Sequence, residues 1–262
     1  MNEHDHQIGL HGLALLRAGV KGDALGVHRH RSAITDLLND PSDATSRVLP
    51  EVSVQEGYAA WATSYDERRN ASIRAEEPVV RELLQGRTPG VAVDVGTGTG
   101  RHATWLAAQG HRVTGIDTSR AMLEVARSRA PELEWIEADL RALPLPDACA
   151  DIVVCGLTLS HLPTLVGIAE LARLLRPGGR LVVSNPHPLA TDVLHARAWT
   201  TTADGIRVQV PEWAHGLGEY VARFVAAGLV PTVLQEPPHD GEDPMLQGMP
   251  AAVVWAADRP EA

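Results

Sequence analysis

Three glycines at alternate positions, Gly96, Gly98 and Gly100, follow the apolar run Val91 to Val95 and precede a helical pattern from about Arg101. Glycine there lets the backbone turn sharply and lie flat against a bound molecule, with the first N–H groups of the helix aimed at it. A Gly-x-Gly alone is a weak signal. The dinucleotide fingerprint needs a further glycine three residues after Gly98, a place held by Arg101, and no Gly-Lys-Ser/Thr follows to make a phosphate loop. Two carboxylates sharpen the reading. Asp117 closes the second apolar run, 21 residues after Gly96, where it can accept both hydroxyls of a ribose. Asp139 closes the third, 22 residues further on, where it can accept from the exocyclic amine of adenine while the N–H of Leu140 bonds a ring nitrogen. Asp94 is read first as a brace of the glycine turn, through bonds to neighbouring N–H groups. Thr97 in the loop, Thr118 and Met122 after the second run, and Cys155 ending the fourth are further candidates for lining the same ligand.

Proton chemistry would fall to histidine, whose ordinary pKa lies near 6.5. His187 follows the fifth apolar run and ranks first as a base; His161, after the fourth, ranks next, and His215 precedes the last helix. Each also has a plain structural reading, His161 as a helix cap, His187 as an exposed turn residue and His215 as a solvated one. Asn185-Pro186 is similar to the Asn/Asp-Pro-Pro-aromatic signature of amino-group methyltransferases, but it follows the fifth run and not the fourth, so that reading is set aside.

The elements that must position these groups are legible as alternation. Strands are expected at 91–95, 112–116, 134–138, 151–155, 180–184, 229–235 and 252–256, each apolar and bounded by Gly, Pro or Asp. Helices are expected near 101–109, 119–129, 164–176 and 217–227. Strand–helix repeats with runs apolar on both faces imply an α/β, Rossmann-like, doubly wound sheet of seven mostly parallel strands covered by helices. Ahead of it, Tyr58, Trp61, Ala62 and Tyr65 share one face of a helix, and a second helix runs from Ile73 to Leu84 and stops at Gly86. Arg176-Pro177-Gly178-Gly179 reads as a helix stop and turn. The connection from about 186 to 214 carries Trp199 and Trp213 amid Thr and Ala. With the helices of 54–85 it is the expected acceptor pocket, apolar and little charged.

Residues 1–50 are expected to be a partly helical or flexible extension before a domain of 51–262. Leu13 to Arg17 reads as a turn or two of helix. Ser32 to Leu38 reads as a helix capped by Ser32 and stopped by Asn39, Asp40 and Pro41. Five of the twelve histidines lie here (His4, His6, His11, His28, His30), but no cysteine or regular i,i+4 pair completes a metal site, so none is assigned.

Four segments together resemble successive motifs of the class I S-adenosylmethionine-dependent methyltransferases, nearest the small-molecule branch of ubiquinone and menaquinone biosynthesis. They are Val93 to Gly100; Gly115 to Ser119 with Met122-Leu123; Ala138-Asp139-Leu140 with Leu143-Pro144-Leu145-Pro146; and Leu174 to Leu181. The resemblance spans roughly residues 55–258. It implies S-adenosylmethionine as cofactor, Gly96, Gly98 and Gly100 against its methionine part, Asp117 on the ribose, and Asp139 with Leu140 on the adenine. It also implies that Tyr58 or Tyr65 lids the cofactor. The expected reaction is methyl transfer to O or N, less readily C, of a small organic metabolite. Two rivals stay open: a non-transfer reaction such as a cyclisation, and a cofactor-sensing module without catalysis.

Composition bounds the partners. Twenty-three Lys and Arg against 33 Asp and Glu leave a formal charge of −10, and only Lys21 is a lysine, which disfavours nucleic acid. No run approaches roughly 18 apolar residues, so no membrane span is expected. Two cysteines make no disulfide framework, and the acidic start is unlike a signal peptide, so a cytoplasmic monomer or homodimer is the expectation.

Overall fold

A computed structural model describes residues 3–40, 49–66, 71–193, 198–240 and 246–261. Eight α-helices and nine strands are assigned among them: α1 (Glu3–Lys21), α2 (Ala24–Leu38), α3 (Val54–Trp61), α4 (Ala71–Leu84), β1 (Val91–Val95), α5 (Arg101–Ala108), β2 (Arg112–Asp117), α6 (Arg120–Arg129), β3 (Glu134–Glu137), β4 (Ala150–Gly156), α7 (Gly167–Leu174), β5 (Leu175–Pro186), β6 (Trp199–Thr201), β7 (Arg207–Gln209), α8 (Leu217–Ala226), β8 (Val230–Gln235) and β9 (Ala252–Asp258).

Seven strands form one sheet in the order β3-β2-β1-β4-β5-β9-β8. β1 to β5 are parallel, and β9 inserts antiparallel between β5 and β8. Successive strand side chains point to opposite faces, which sorts the apolar runs into two cores. Val93, Val95, Val153, Cys155, Leu181 and Val183 face Ile168, Leu171, Tyr220 and Phe224. Ala92, Ile152, Val154 and Val182 face Val79, Val80, Leu84, Ala103 and Leu106 on the other side. Chain order reverses direction between β1 and β4, so the loops after these strands part and leave a crevice at the carboxyl edge.

The N-terminal extension is more helical than expected. α1 is continuous, and α2 begins at Ala24, capped by Asp23, whose Oδ1 accepts from the N–H of Gly26 at 2.9 Å. Ser32, expected as the cap, is therefore interior to α2. The signal was weak because the two helices meet through small residues: a Cβ on Gly26 would come within 3.0 Å of Ala18 Cβ. Pro41, expected to stop this helix, lies outside the described residues. Leu10 and Leu13 seat the pair on Ala190, Leu246 and Met249. Among the described residues no group of three or more His, Cys, Asp or Glu could hold a metal, and His11 and His30 share a bond between their Nδ1 atoms at 3.1 Å. No helix among them is long and apolar enough to cross a membrane.

The 186–214 connection holds structure that periodicity did not suggest. A single turn (Leu189–Val193) leads to the hairpin β6–β7, on which the Arg207 guanidinium lies 4.3 Å from the ring of Trp199. Residues 194–197 lie outside the described ones. Gln209 accepts from the N–H of Val52 at 3.0 Å and donates to Pro50 O at 2.9 Å, tying the hairpin to the chain entering α3.

Behind the glycine loop, α4 buries a carboxylate. Glu76 is fully enclosed, 2.6 Å from Arg101 and 3.4 Å from His102 of α5, and accepts from Ser184 Oγ of β5 at 2.9 Å. Burial alone would raise its pKa, but His102, Arg101 and the Ser184 hydroxyl together lower it to about 2. A depressed carboxyl pKa stabilises the fold above the unfolded value near 4.5, and that contribution drains away as pH falls toward 2. Glu76→Gln should therefore destabilise by about 3–5 kcal/mol at neutral pH. In urea titrations repeated down to acid pH, the gap to the parent should narrow below the ordinary carboxylate range.

Candidate cofactor and acceptor site

The loop after β1 is held from two sides. The N–H groups of Gly96 and Thr97 both donate to Ile116 O of β2, at 2.8 and 2.9 Å. Asp94, buried, accepts from Thr97 Oγ1 at 2.6 Å and from the N–H of Ala103 at 3.0 Å, and so fastens the loop to the first turn of α5. Burial pushes its pKa up, with His102 and the Thr97 hydroxyl pulling the other way. The three glycines differ in why they are glycine. All have positive φ, but a Cβ on Gly96 would strike the Thr158 side chain and one on Gly100 would sit 2.6 Å from Trp135, whereas Gly98 has nothing within 4 Å and presents bare backbone to the crevice.

That crevice is a cavity of about 440 Å³ at the carboxyl ends of β1, β2 and β4, within the usual range for a small-molecule site. At one end lie Gly96, Gly98, Asp117, Thr118, Ala138, Asp139 and Leu140. Asp117 Oδ2 accepts from Gly98 N–H and Oδ1 from Ser119 N–H, each at 2.8 Å. A carboxylate has about four acceptor positions, so capacity remains for a diol. Burial raises the Asp117 pKa and these N–H groups oppose it. Asp139 is already engaged: Arg141 grips both its oxygens, at 2.6 to 3.1 Å, and its own N–H adds a bond at 2.8 Å.

The other end is walled by Val54, Gln55, Tyr58 and Tyr65 from the N-terminal helical segment and by Leu157, Thr158, His161, Leu162 and Pro163 after β4. α3 starts cleanly because Ser53 and Glu56 form a reciprocal cap. Its Tyr58 and Trp61, with Tyr65 just beyond, make an aromatic cluster with ring centroids 5.0 to 6.0 Å apart. His161 sits in a short helical turn, Leu159–His161, held by Asn185, whose Oδ1 accepts from Ser160 N–H at 2.9 Å and whose Nδ2 donates to Tyr220 Oη at 2.8 Å. The bonds of His161 decide its tautomer. Nδ1 lies 2.8 Å from Pro211 O, which can only accept, so Nδ1 carries the proton and Nε2 accepts from Tyr58 Oη at 2.7 Å. Burial lowers the His161 pKa, with the Pro211 carbonyl opposing, and burial raises that of Tyr58.

Several expected site residues face elsewhere. His187, ranked first as a base, is buried away from the cavity lining; its Nε2 meets Glu236 at 2.7 Å and its Nδ1 accepts from Leu189 N–H at 3.2 Å, leaving neither nitrogen open. The turn after β5 folds back over β9 rather than over β4, which is why the ranking inverts. His215 is spent on Leu162 O at 3.0 Å and Glu219 at 3.3 Å. Cys155 and Met122 are sealed in the interior, because strand alternation and the inner face of α6 turn them inward. Thr97 and Asp94 brace the loop from behind, and Gly100 makes room for Trp135. Sequence reasoning missed Ser53, Arg141 and Thr158; Val54 and Gln55 lie in the expected 54–85 wall, whereas no described residue of the 186–214 connection lines the cavity, which that segment reaches only indirectly through Pro211 O on His161. Only Arg141, two residues from Asp139, carried a local signal.

Asp117→Asn tests the brace. The amide can accept through one atom only, so either Gly98 or Ser119 loses its partner, and unfolding stability should fall by roughly 1–3 kcal/mol. Urea denaturation of the cofactor-free protein would measure it; an unchanged midpoint would mean that the loop holds itself.

Residues 93–183 match the family described as Methyltransf_11, a methyltransferase domain. The chain is 41% identical over 110 residues to a demethylmenaquinone methyltransferase of Tropheryma whipplei, covering 40% of this chain and 46% of that protein. It is 36% identical over 138 residues to a malonyl-[acyl-carrier protein] O-methyltransferase of Serratia marcescens, covering 50% and 52%. The chain spans about half the length or less of most of the curated relatives it matches. The fold is that of an S-adenosylmethionine-dependent methyltransferase from Mesorhizobium loti, with a TM-score of 0.58 at 24% identity over 71% of this chain and 98% of that one. Strand order, glycine loop, the acidic residues ending β2 and following β3, and the matched segment thus converge: residues 93–183 match a methyltransferase domain, and the sheet around them has the fold of S-adenosylmethionine-dependent methyltransferases.

Proposed function

We propose that this protein transfers a methyl group from S-adenosylmethionine to a small organic acceptor, with His161 as the proton sink. The reading rests on one observation: a single cavity joins a nucleoside-shaped end, with Asp117, Leu140 and bare Gly98, to an aromatic end that holds a histidine in a defined tautomer. The residues fit the cofactor. Asp117 retains acceptor capacity for a ribose diol, Gly98 admits close approach, and Asp139 can take an adenine amine if Arg141 releases one oxygen. When bound, the cofactor supplies a methyl group on a positive sulfur. The chain's part is to align the acceptor and exclude water, which Tyr58 and Tyr65 do as the lid of the cavity. The two named relatives act on different acceptors, so neither decides which molecule is methylated here. Two free cysteines, one buried, suit a reducing compartment, and we place the protein in the cytoplasm.

Asp117→Ala should weaken S-adenosylmethionine binding about a hundredfold or more, since two bonds to a charged acceptor are lost. Calorimetry on the folded variant reads this, with a nicotinamide dinucleotide as the comparison ligand; tighter binding of the dinucleotide would overturn the family-based assignment of the cofactor. Burial lowers the His161 pKa, so its neutral form persists below the ordinary histidine range. The acid limb of the kcat profile should accordingly lie below about pH 6.5 and disappear in His161→Asn. A limb above that value would point to another base.

A further inference from the structure

The bonds around His161 carry a consequence for the route of the proton. Nδ1–H is committed to Pro211 O and Nε2 is already occupied by the hydroxyl of Tyr58. His161 thus offers the cavity no vacant lone pair, whereas Tyr58 Oη, which also lines the cavity, donates one proton and keeps its own lone pairs. Tyr58 is fixed in this pose from several sides: its ring stands edge-on to His161 at 5.2 Å between centroids and packs on Trp61 and Tyr65, while Gly57 beside it presses against Val210 of the segment that brings Pro211. The lining at this end is otherwise apolar (Val54, Leu157, Leu162, Pro163) or neutral and polar (Ser53, Gln55, Thr158), with no cation among the described residues; Arg141 stands at the nucleoside end on Asp139.

We infer that Tyr58 is a catalytic proton relay between the acceptor and His161, and that the acceptor presents a phenolic or enolic hydroxyl. This rests on the methyl-transfer reading above. The acceptor O–H breaks as its proton passes to Tyr58 Oη, and the proton that Tyr58 held passes to His161 Nε2. The acceptor oxygen gains a bond to the methyl carbon as the sulfur–methyl bond breaks, its electron pair remaining on sulfur. One positive charge is lost at sulfur and one appears on the imidazole, so the buried cavity keeps its net charge and pays no desolvation for a new one. A carboxylate acceptor would need no base and would want a cation that this end lacks. A phenol or enol is far more acidic than an aliphatic alcohol and so yields its proton to a histidine-terminated relay at much lower cost, and a neutral amine attacks without losing a proton first.

The test uses the full chain and a set of probes: 4-nitrophenol, catechol and a cyclic 1,3-diketone as hydroxyl donors, with benzylamine, thiophenol and benzoate as rivals, turnover being read as release of S-adenosylhomocysteine. Methylation of a hydroxyl probe, with about a hundredfold loss in both Tyr58→Phe and His161→Asn and no further loss in the double variant, supports the relay. Calorimetric affinity for S-adenosylmethionine should be unchanged in both, which guards against misfolding. If Tyr58→Phe keeps the rate while His161→Asn loses it, the relay is overturned and the methyl-transfer reading survives. If both keep it, His161 is no proton sink and that part of the reading falls as well. Turnover confined to amine, thiol or carboxylate probes, or of none, overturns the acceptor class. A readout independent of turnover is the ¹⁵N spectrum of His161, in which a proton on Nδ1 and an unprotonated Nε2 are expected; the opposite tautomer overturns the relay.

Discussion

The cavity exists because two carboxylates hold a glycine-rich backbone in a shape it would not keep alone. Asp94 fastens the loop to α5 and Asp117 fastens it to the end of β2. Positive φ at Gly96, Gly98 and Gly100 is available to glycine at little steric cost, but it is costly in entropy, since glycine loses the most freedom on ordering. Charge-assisted bonds to backbone N–H groups are strong enough to offset that loss. Asp117 carries a double duty, because the oxygens that brace the loop are also those that face the cavity. Its elevated pKa, caused first by burial, reflects a carboxylate sitting at the edge of an enclosed space rather than in water.

Behind this loop the buried Glu76 does for the helices what Asp94 does for the turn. It brings α4 against α5 and β5 through Arg101, His102 and Ser184. A Cβ on Gly156 would come within 2.9 Å of His102, so the same cluster backs the end of β4, from which the turn bearing His161 departs. The floor of the cavity and the turn bearing His161 therefore share one support.

At the aromatic end, His161 is a junction. Tyr58 comes from α3, Pro211 from the segment after β7, and the turn itself hangs on Asn185 at the end of β5. The N–H of Trp213 closes the arrangement on Ser160 O at 2.7 Å. Segments distant along the chain meet at or beside one imidazole, and the bond to Pro211 O fixes which nitrogen carries the proton.

Local chemistry was enough to read the sheet. Most strands are short, apolar and separated by breakers, and helix periodicity survives between them, so the strands of the main sheet and the helices from α4 onward were legible within a few residues, except that β5 begins at Leu175 and takes in Arg176-Pro177-Gly178-Gly179, which was read as a helix stop and turn. The glycine loop, Asp117 and Asp139 were legible because strand ends in a parallel sheet share one edge, a property of the alternation itself. The direction in which a side chain points beyond that edge was not. His187 and His161 look alike in the sequence, each just past an apolar run; only the path of the chain after β5, folded over β9, and after β4, folded over the crevice, separates a paired core histidine from one that lines a cavity. The helical hairpin of residues 3–38 was legible only as two short helical stretches, and its full extent escaped because its helices pack through Ala and Gly, which leave little periodic signal. The hairpin β6–β7 escaped because three-residue strands are specified by what they pair with. Pairing, tautomer and burial arise from contacts between residues far apart in the chain, and those the tertiary structure alone decided.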